Sequence, residues 1–147
     1  KLVQSRGIKV VCGGTTSQIV STHTGEQLSV TLNYENPGIP PAAHIKGIDL
    51  VTEGVLTIGK TLDMLKRFPY MDRSEKVIAL SKKDAASRLV RILLEESTEV
   101  RFLVGRAINP AHQNPEMPIS LGLKLNLIKE MKAELEKIGK IVNIEYF

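Results

Sequence analysis

Three polar segments carry the side chains that could bind or transform a ligand. The first is the run CGGTTS, in which Gly13, Gly14, Thr15 and Thr16 follow an apolar stretch. Glycine lets the backbone turn tightly, and the free N–H groups of a helix start favour an anion. We therefore predict a cradle for a phosphate or carboxylate, although neither the dinucleotide-binding nor the P-loop glycine pattern is matched. The alternative is a well-capped turn from strand to helix.

The second segment consists of Thr52, Glu53 and Gly54, which follow another apolar run. Glu53 is its only acid. This carboxylate fits a general base, or an ion-pair partner for Arg106. It equally fits a first-turn helix acid, which the helix dipole favours.

The third segment is a long polar loop that contains Gly105, Arg106, Asn109, His112 and Asn114. Arginine can hold a carboxylate or phosphate through two hydrogen bonds, and histidine titrates near neutral pH. These groups therefore predict the closing side of a ligand site. The alternative is that they only bond the loop to itself.

The elements before and after these segments alternate between strands and helices. Apolar runs and period-two alternation predict strands at 8–12, 28–33, 48–51, 100–104 and 141–146. Helical spacing of apolar residues predicts helices ending near 22, 65, 97 and 138. We expect an α/β fold with a mostly parallel sheet of about five strands and helices on both faces, a Rossmann-like three-layer arrangement. Ligands bind beyond the carboxyl ends of such strands, so the three polar segments should converge on one edge.

Length and composition indicate a single α/β domain over residues 1–147. The chain has 147 residues, of which 42% are hydrophobic, and this is enough for one core. Residues 68–83 are mixed and polar and include Pro69, so we expect a flexible loop there. The first residue is not Met, and we expect that the chain is a fragment of a longer protein.

Charge and cysteine content limit the classes of partner and the cellular compartment that we expect for this chain. The net charge of +4 is spread along the chain, and only three Tyr, three Phe and no Trp are present, so we expect no nucleic-acid partner. The sequence contains no run of about 18 apolar residues, so we expect no membrane-spanning helix. The single Cys12 favours a reducing, cytoplasmic location and is interpreted as a buried structural residue. The three His match no zinc spacing.

Three stretches of the chain resemble a known family. The stretches VCGGTTSQIV, IKGIDLVTEGVLTIGKTLDMLKR and FLVGRAINPAHQNPEMPISLGLKLNLI resemble the region that follows the catalytic domain in bacterial stage II sporulation protein E-like serine/threonine phosphatases. Those enzymes are metal-dependent, PPM-type hydrolases. The resemblance extends from about residue 7 to residue 147, and GRAINPAHQNP is its most specific part.

The resemblance implies an accessory role for this chain. A PPM active site uses several aspartates around two Mn²⁺ or Mg²⁺ ions, whereas this chain has four Asp and no Asp-Gly pair. No catalytic or metal-binding residue is therefore carried over, and no cofactor is expected here. The family implies a catalytic phosphatase domain upstream of Lys1, which would hold the metals and be a partner of this domain.

The sequence thus supports one leading hypothesis and two alternatives. The leading hypothesis is a non-catalytic, regulatory domain of a PPM-type phosphatase that binds an anionic small molecule at the strand ends. The first alternative is a small enzyme acting on a phosphorylated or carboxylated metabolite, with Glu53 or His112 as general base and Arg106 holding the substrate. The second is a homodimerisation module, because Leu123 and Leu127 place apolar residues on more than one face of the last helix.

Overall fold

A computed structural model describes residues 1–30, 36–106 and 117–147. These residues form two compact units, Lys1–Ile92 and Leu93–Phe147, and the boundary falls inside a helix. The single-domain organisation stays a prediction. No helix in the described ranges combines the length and apolarity needed to cross a bilayer.

The first unit contains a four-stranded mixed sheet and most of the helices. Its elements are β1 (Val10–Cys12), α1 (Gly14–Thr24), β2 (Ser29–Val30), β3 (Ala43–His44), β4 (Leu50–Thr52), α2 (Val55–Arg67), α3 (Arg73–Ser81) and the start of α4 (Ala85–Glu95), with 3₁₀ turns at Leu2–Gln4 and Phe68–Tyr70. The strand order is β1-β4-β3-β2. The β1–β4 pair is parallel, and β3 runs antiparallel to both of its neighbours.

Apolar side chains from the strands and helices form the core of this unit. Val11 of β1 and Val51 of β4 are each 1% exposed and pack with Val20 of α1. Ile58 and Leu62 recur at helical spacing on α2 and are also buried. Full burial of such a side chain contributes about 1.5–3 kcal/mol, which is why the apolar stripe fixes the face that α2 turns inward.

The second unit contains the end of α4, β5 (Glu99–Val104), α5 (Met117–Lys137) and β6 (Ile141–Tyr146). The two strands pair in parallel over six residues, from Glu99 opposite Ile141 to Val104 opposite Tyr146. Parallel neighbours need a long crossover, which is usually helical, and α5 lies between these two strands in the chain. The buried apolar residues here include Val104, Ile128, Met131, Leu135 and Val142.

The expected five-stranded, mostly parallel sheet is wrong. The described strands form one mixed sheet, in which only β1 and β4 are parallel, and a separate two-stranded parallel sheet. The physical reason lies between β2 and β4. Residues 36–49, the described part of this connection, contain no helix that could serve as a parallel crossover, and β3 pairs antiparallel with β2 and with β4.

The expected loop at 68–83 is also corrected, because most of this stretch is helical. A 3₁₀ turn covers Phe68–Tyr70, and α3 covers Arg73–Ser81. The helix begins with a capping box: the Asp72 carboxylate accepts from the Glu75 backbone N–H, and the Glu75 carboxylate accepts from the Asp72 N–H, both at 2.8 Å. This reciprocal pair satisfies two N–H groups that a helix start otherwise leaves unpaired.

Candidate functional site

The parallel pairing of β1 and β4 brings the first two polar segments to one edge of the sheet. Cys12 lies opposite Thr52 at the last register position, and the Gly13 N–H donates to the Thr52 carbonyl at 2.9 Å. Helix α1 starts at Gly14 immediately after β1, and helix α2 starts at Val55, three residues after β4. The two helix N-termini therefore leave the sheet from neighbouring strands. We call residues 13–16 and 52–54 the glycine edge.

Gly13 and Gly54 lie where the backbones of the two turns at the glycine edge come into contact. Gly13 has φ of 118°, a conformation that side-chain-bearing residues rarely adopt. A Cβ atom on Gly54 would lie 3.4 Å from the Gly13 Cα, so the two turns touch through their backbones. Any larger residue would strain the backbone at Gly13, whereas a Cβ on Gly54 would only make ordinary contact with the Gly13 backbone.

The N-terminus of α1 presents its donors to solvent. Gly14, Thr15 and Thr16 are exposed, and no side chain caps this helix start. A Cβ on Gly14 would meet no atom within 4 Å, so the space over its backbone is open. The buried Ser17 hydroxyl donates to the Gly13 carbonyl at 2.7 Å, which holds the turn. Unpaired N–H groups, the helix dipole and two hydroxyls together suit an anion.

The N-terminus of α2 already holds a carboxylate. The Glu53 side chain accepts a hydrogen bond from the Leu56 N–H at 3.2 Å, and the Thr52 hydroxyl donates to the Glu53 carbonyl at 2.7 Å. Glu53 thus lies two residues before the start of α2, and its carboxylate accepts from an N–H group of the first turn, where the helix dipole favours a negative charge. Its negative charge on the same edge opposes a second anion.

The third polar segment is only partly described. Gly105 and Arg106 follow β5 in the second unit, and Asn109, His112 and Asn114 lie outside the described residues. The Arg106 N–H donates to the Phe147 carbonyl at 2.9 Å. Its guanidinium lies 5.5 Å from the centroid of the Tyr146 ring, within the range of a cation–π contact. The predicted ion pair between Arg106 and Glu53 stays a prediction.

The metals implied by the family resemblance find no ligand set in the described ranges. No group of three or more His, Cys, Asp or Glu side chains there comes together in a way that could hold a metal ion. Mn²⁺ and Mg²⁺ prefer several oxygen ligands at short distance. The expectation that this chain holds no metal ion stays a prediction.

A second feature of the first unit was missed by sequence reasoning. A groove of about 430 Å³ lies among α2, α3, the start of α4 and the turn at 36–39. No local pattern predicts it, because its walls come from four separate stretches of chain, one of which was expected to be a loop. We call it the helical groove; its lining residues are Asn36, Gly38, Ile39, Lys60, Asp63, Met64, Arg67, Met71, Glu75, Ile78, Ala79, Lys82, Asp84 and Ser87.

Comparison of the chain with known protein families, with curated proteins and with solved structures found no match. The resemblance to the phosphatases and the anion site at the glycine edge therefore stay predictions.

Proposed function

We propose that this chain is a cytoplasmic, non-catalytic accessory domain of a PPM-type serine/threonine phosphatase. In this proposal it binds a small molecule through a phosphate or carboxylate group at the glycine edge, and ligand binding regulates the phosphatase domain. The three resembling stretches support the relationship to the phosphatases. The glycine edge supports the class of ligand.

One observation carries the ligand proposal: β1 and β4 pair in parallel and in register, so two helix starts open side by side. The α1 start is the stronger candidate, because it has no side-chain cap and its first residues are exposed. At the start of α2, the Leu56 N–H already donates to the Glu53 carboxylate. The anion is therefore expected to sit on the N–H groups of Gly14 and Thr15, with the Thr16 hydroxyl beside it.

The alternative enzyme hypothesis has less support from the geometry. One of its two candidate general bases, Glu53, accepts a hydrogen bond from the Leu56 N–H, and the other, His112, lies outside the described residues. Incubation of the chain with a phosphoserine peptide and Mn²⁺ tests catalysis directly. The accessory-domain proposal expects no phosphate release above that of a reaction without protein. Turnover that scales with protein concentration would contradict it.

Titration with inorganic phosphate, followed by backbone amide chemical shifts, tests the ligand site. Gly14→Ala adds a methyl group in open space, so the protein keeps its fold while the ligand loses close access to the backbone. We expect phosphate binding to weaken about fivefold, the equivalent of roughly 1 kcal/mol. Gly59→Ala is the matched control: Gly59 lies inside α2, its added methyl also meets no atom within 4 Å, and phosphate affinity should not change.

Removal of the negative charge of Glu53 should strengthen phosphate binding. Glu53→Gln keeps an acceptor for the Leu56 N–H but removes a negative charge from the edge. Phosphate affinity is expected to rise about threefold, in line with a partly screened interaction between surface charges. Equal phosphate affinity in wild type, Gly14→Ala and Glu53→Gln would reject the glycine edge as the anion site. Acetate in place of phosphate then distinguishes a carboxylate site from a phosphate site.

A further inference from the structure

We propose that the helical groove is a second ligand site and that it takes a small amphipathic anion, a molecule with a linear apolar body and one carboxylate, as in a medium-chain fatty acid. The groove is separate from the glycine edge, and its occupation needs no ligand there. A volume of about 430 Å³ lies within the range of small-molecule sites.

The floor of the groove is apolar. Ile39 and Ala79 are 7% and 8% exposed, and Met64 and Met71 are half-buried beside them. Ile78 of α3 also lines the groove and is 59% exposed. Methionine has an unbranched, flexible side chain, so this floor can adapt to an alkyl chain.

Three acids line the groove among the described residues, and two of them accept hydrogen bonds from donors at a helix N-terminus. One Glu75 oxygen accepts from the Asp72 N–H at 2.8 Å as part of the α3 capping box. The two Asp84 oxygens accept from the backbone N–H and the hydroxyl of Ser87, at 2.9 and 2.8 Å. Each of these carboxylates lies at a helix N-terminus, where the helix dipole offsets its charge.

The basic residues of the groove keep their donors available. Lys60, Arg67 and Lys82 are exposed, and the ammonium groups of Lys60 and Lys82 have no ion pair or hydrogen bond with any described residue. Arg67 uses only its Nε, which donates to the Asp63 carbonyl at 3.4 Å. Among the described lining residues, three cations thus lie beside three carboxylates, and helix dipoles partly offset the charge of two of these, Glu75 and Asp84. The available donors of the cations can bind an anionic head, and the apolar floor can hold an alkyl body.

Three probes of equal chain length separate these two requirements: octanoate, octanol and octylamine, each titrated into the full chain near neutral pH and followed by backbone amide shifts. We expect octanoate to bind about tenfold more tightly than octylamine, with shifts concentrated on α2, α3 and the start of α4. This ratio is the order expected for a charge reversal near partly exposed cations.

Adjacent residues of the chain provide matched controls for both halves of the ligand. Lys82→Glu should weaken octanoate binding about tenfold, whereas Lys83→Glu, with the same charge change outside the lining, should not. Ile78→Ala should weaken it about threefold, whereas Val77→Ala, on the same helix and 64% exposed, should not.

Several outcomes of these titrations would contradict the proposal. Equal affinity for the three probes would overturn the preference for an anion. Tighter binding of octylamine would show that Asp63 sets the selectivity. Identical losses within each matched pair, or shifts outside the lining helices, would remove the groove as the site. Unchanged phosphate binding in the Lys82→Glu variant would show that any effect is independent of the glycine edge.

Discussion

Replacement of Thr57 by valine is expected to raise the free energy of unfolding. Thr57 lies in the first turn of α2 and is completely buried, and its hydroxyl has no hydrogen-bond partner among the described residues. Thr61, one turn later, is buried to the same extent, but its hydroxyl donates to the Thr57 carbonyl at 2.8 Å. The two threonines therefore form a matched pair that differs in hydrogen bonding.

The size of the effect follows from the cost of an unpaired polar group. A buried hydroxyl without a partner costs about 1–3 kcal/mol, and valine has nearly the same shape without that group. Thr57→Val should therefore stabilise the protein by about 1–2 kcal/mol. Thr61→Val removes a bond worth about 0.5–1.5 kcal/mol, although the Thr57 carbonyl keeps its ordinary helical N–H donor. The two variants should differ by about 2 kcal/mol, with Thr57→Val the more stable.

Urea denaturation followed by far-ultraviolet circular dichroism measures this difference. Both variants change threonine to valine on one helix, so β-branching and helix propensity largely cancel. Thr57→Ser is the control for shape: it keeps the hydroxyl, removes a methyl group and should destabilise the protein. If Thr57→Val unfolds at a lower urea concentration than Thr61→Val, then the Thr57 hydroxyl has a partner and the reasoning fails.

Two further predictions concern helix ends. Asp72→Ala removes one half of the capping box and should destabilise α3 by about 1 kcal/mol, seen as faster amide exchange over residues 73–81; unchanged exchange would mean that the box does not hold the helix. Gly25, which ends α1 with φ of 71°, should tolerate alanine poorly, with a loss of about 1 kcal/mol, whereas Gly59→Ala inside α2 should raise stability by up to about 1 kcal/mol. Thermal unfolding compares these two variants, and a common sign for both would contradict the backbone argument.

Local signals in the sequence predicted most of the helices. Helices were expected to end near 22 and 138, and α1 and α5 end at Thr24 and Lys137, with Gly25 and Gly139 at positive φ just beyond them. The apolar spacing on α2 predicted both its existence and its buried face. These features depend on residues within one or two turns, so a single sequence contains them.

Helix α3 was expected to be a loop, although its sequence contains one local helix signal. Its apolar residues form only a weak stripe, and Val77 and Ile78 are both exposed, so periodicity gave little signal. The signal that was present is the spacing of Asp72 and Glu75, which is that of a capping box. This spacing, and not the apolar pattern, is the local signal that indicates a helix in place of the expected loop.

The sheet and the helical groove depend on pairings that no local pattern contains. Strand β3 is only two residues long and follows a proline-rich stretch, so alternation could not reveal it. The absence of a helix between β2 and β4 was visible in the sequence and argued against parallel pairing there. The groove forms only after α2, α3 and α4 pack, so its lining could not be found before the helices were placed.

The two parallel ladders have a consequence for the kinetics of folding. Val10 pairs with Leu50, and Glu99 pairs with Ile141, so each ladder joins strands about forty residues apart. Closing a flexible loop of that length costs roughly 3 kcal/mol before the first strand contact forms. Because the paired strands are distant in sequence, neither ladder can form from a local turn. The intervening helices should therefore form first and shorten the flexible chain that separates the two strands. Each unit should consequently fold more slowly than a helical bundle of its size, with β pairing as the late step.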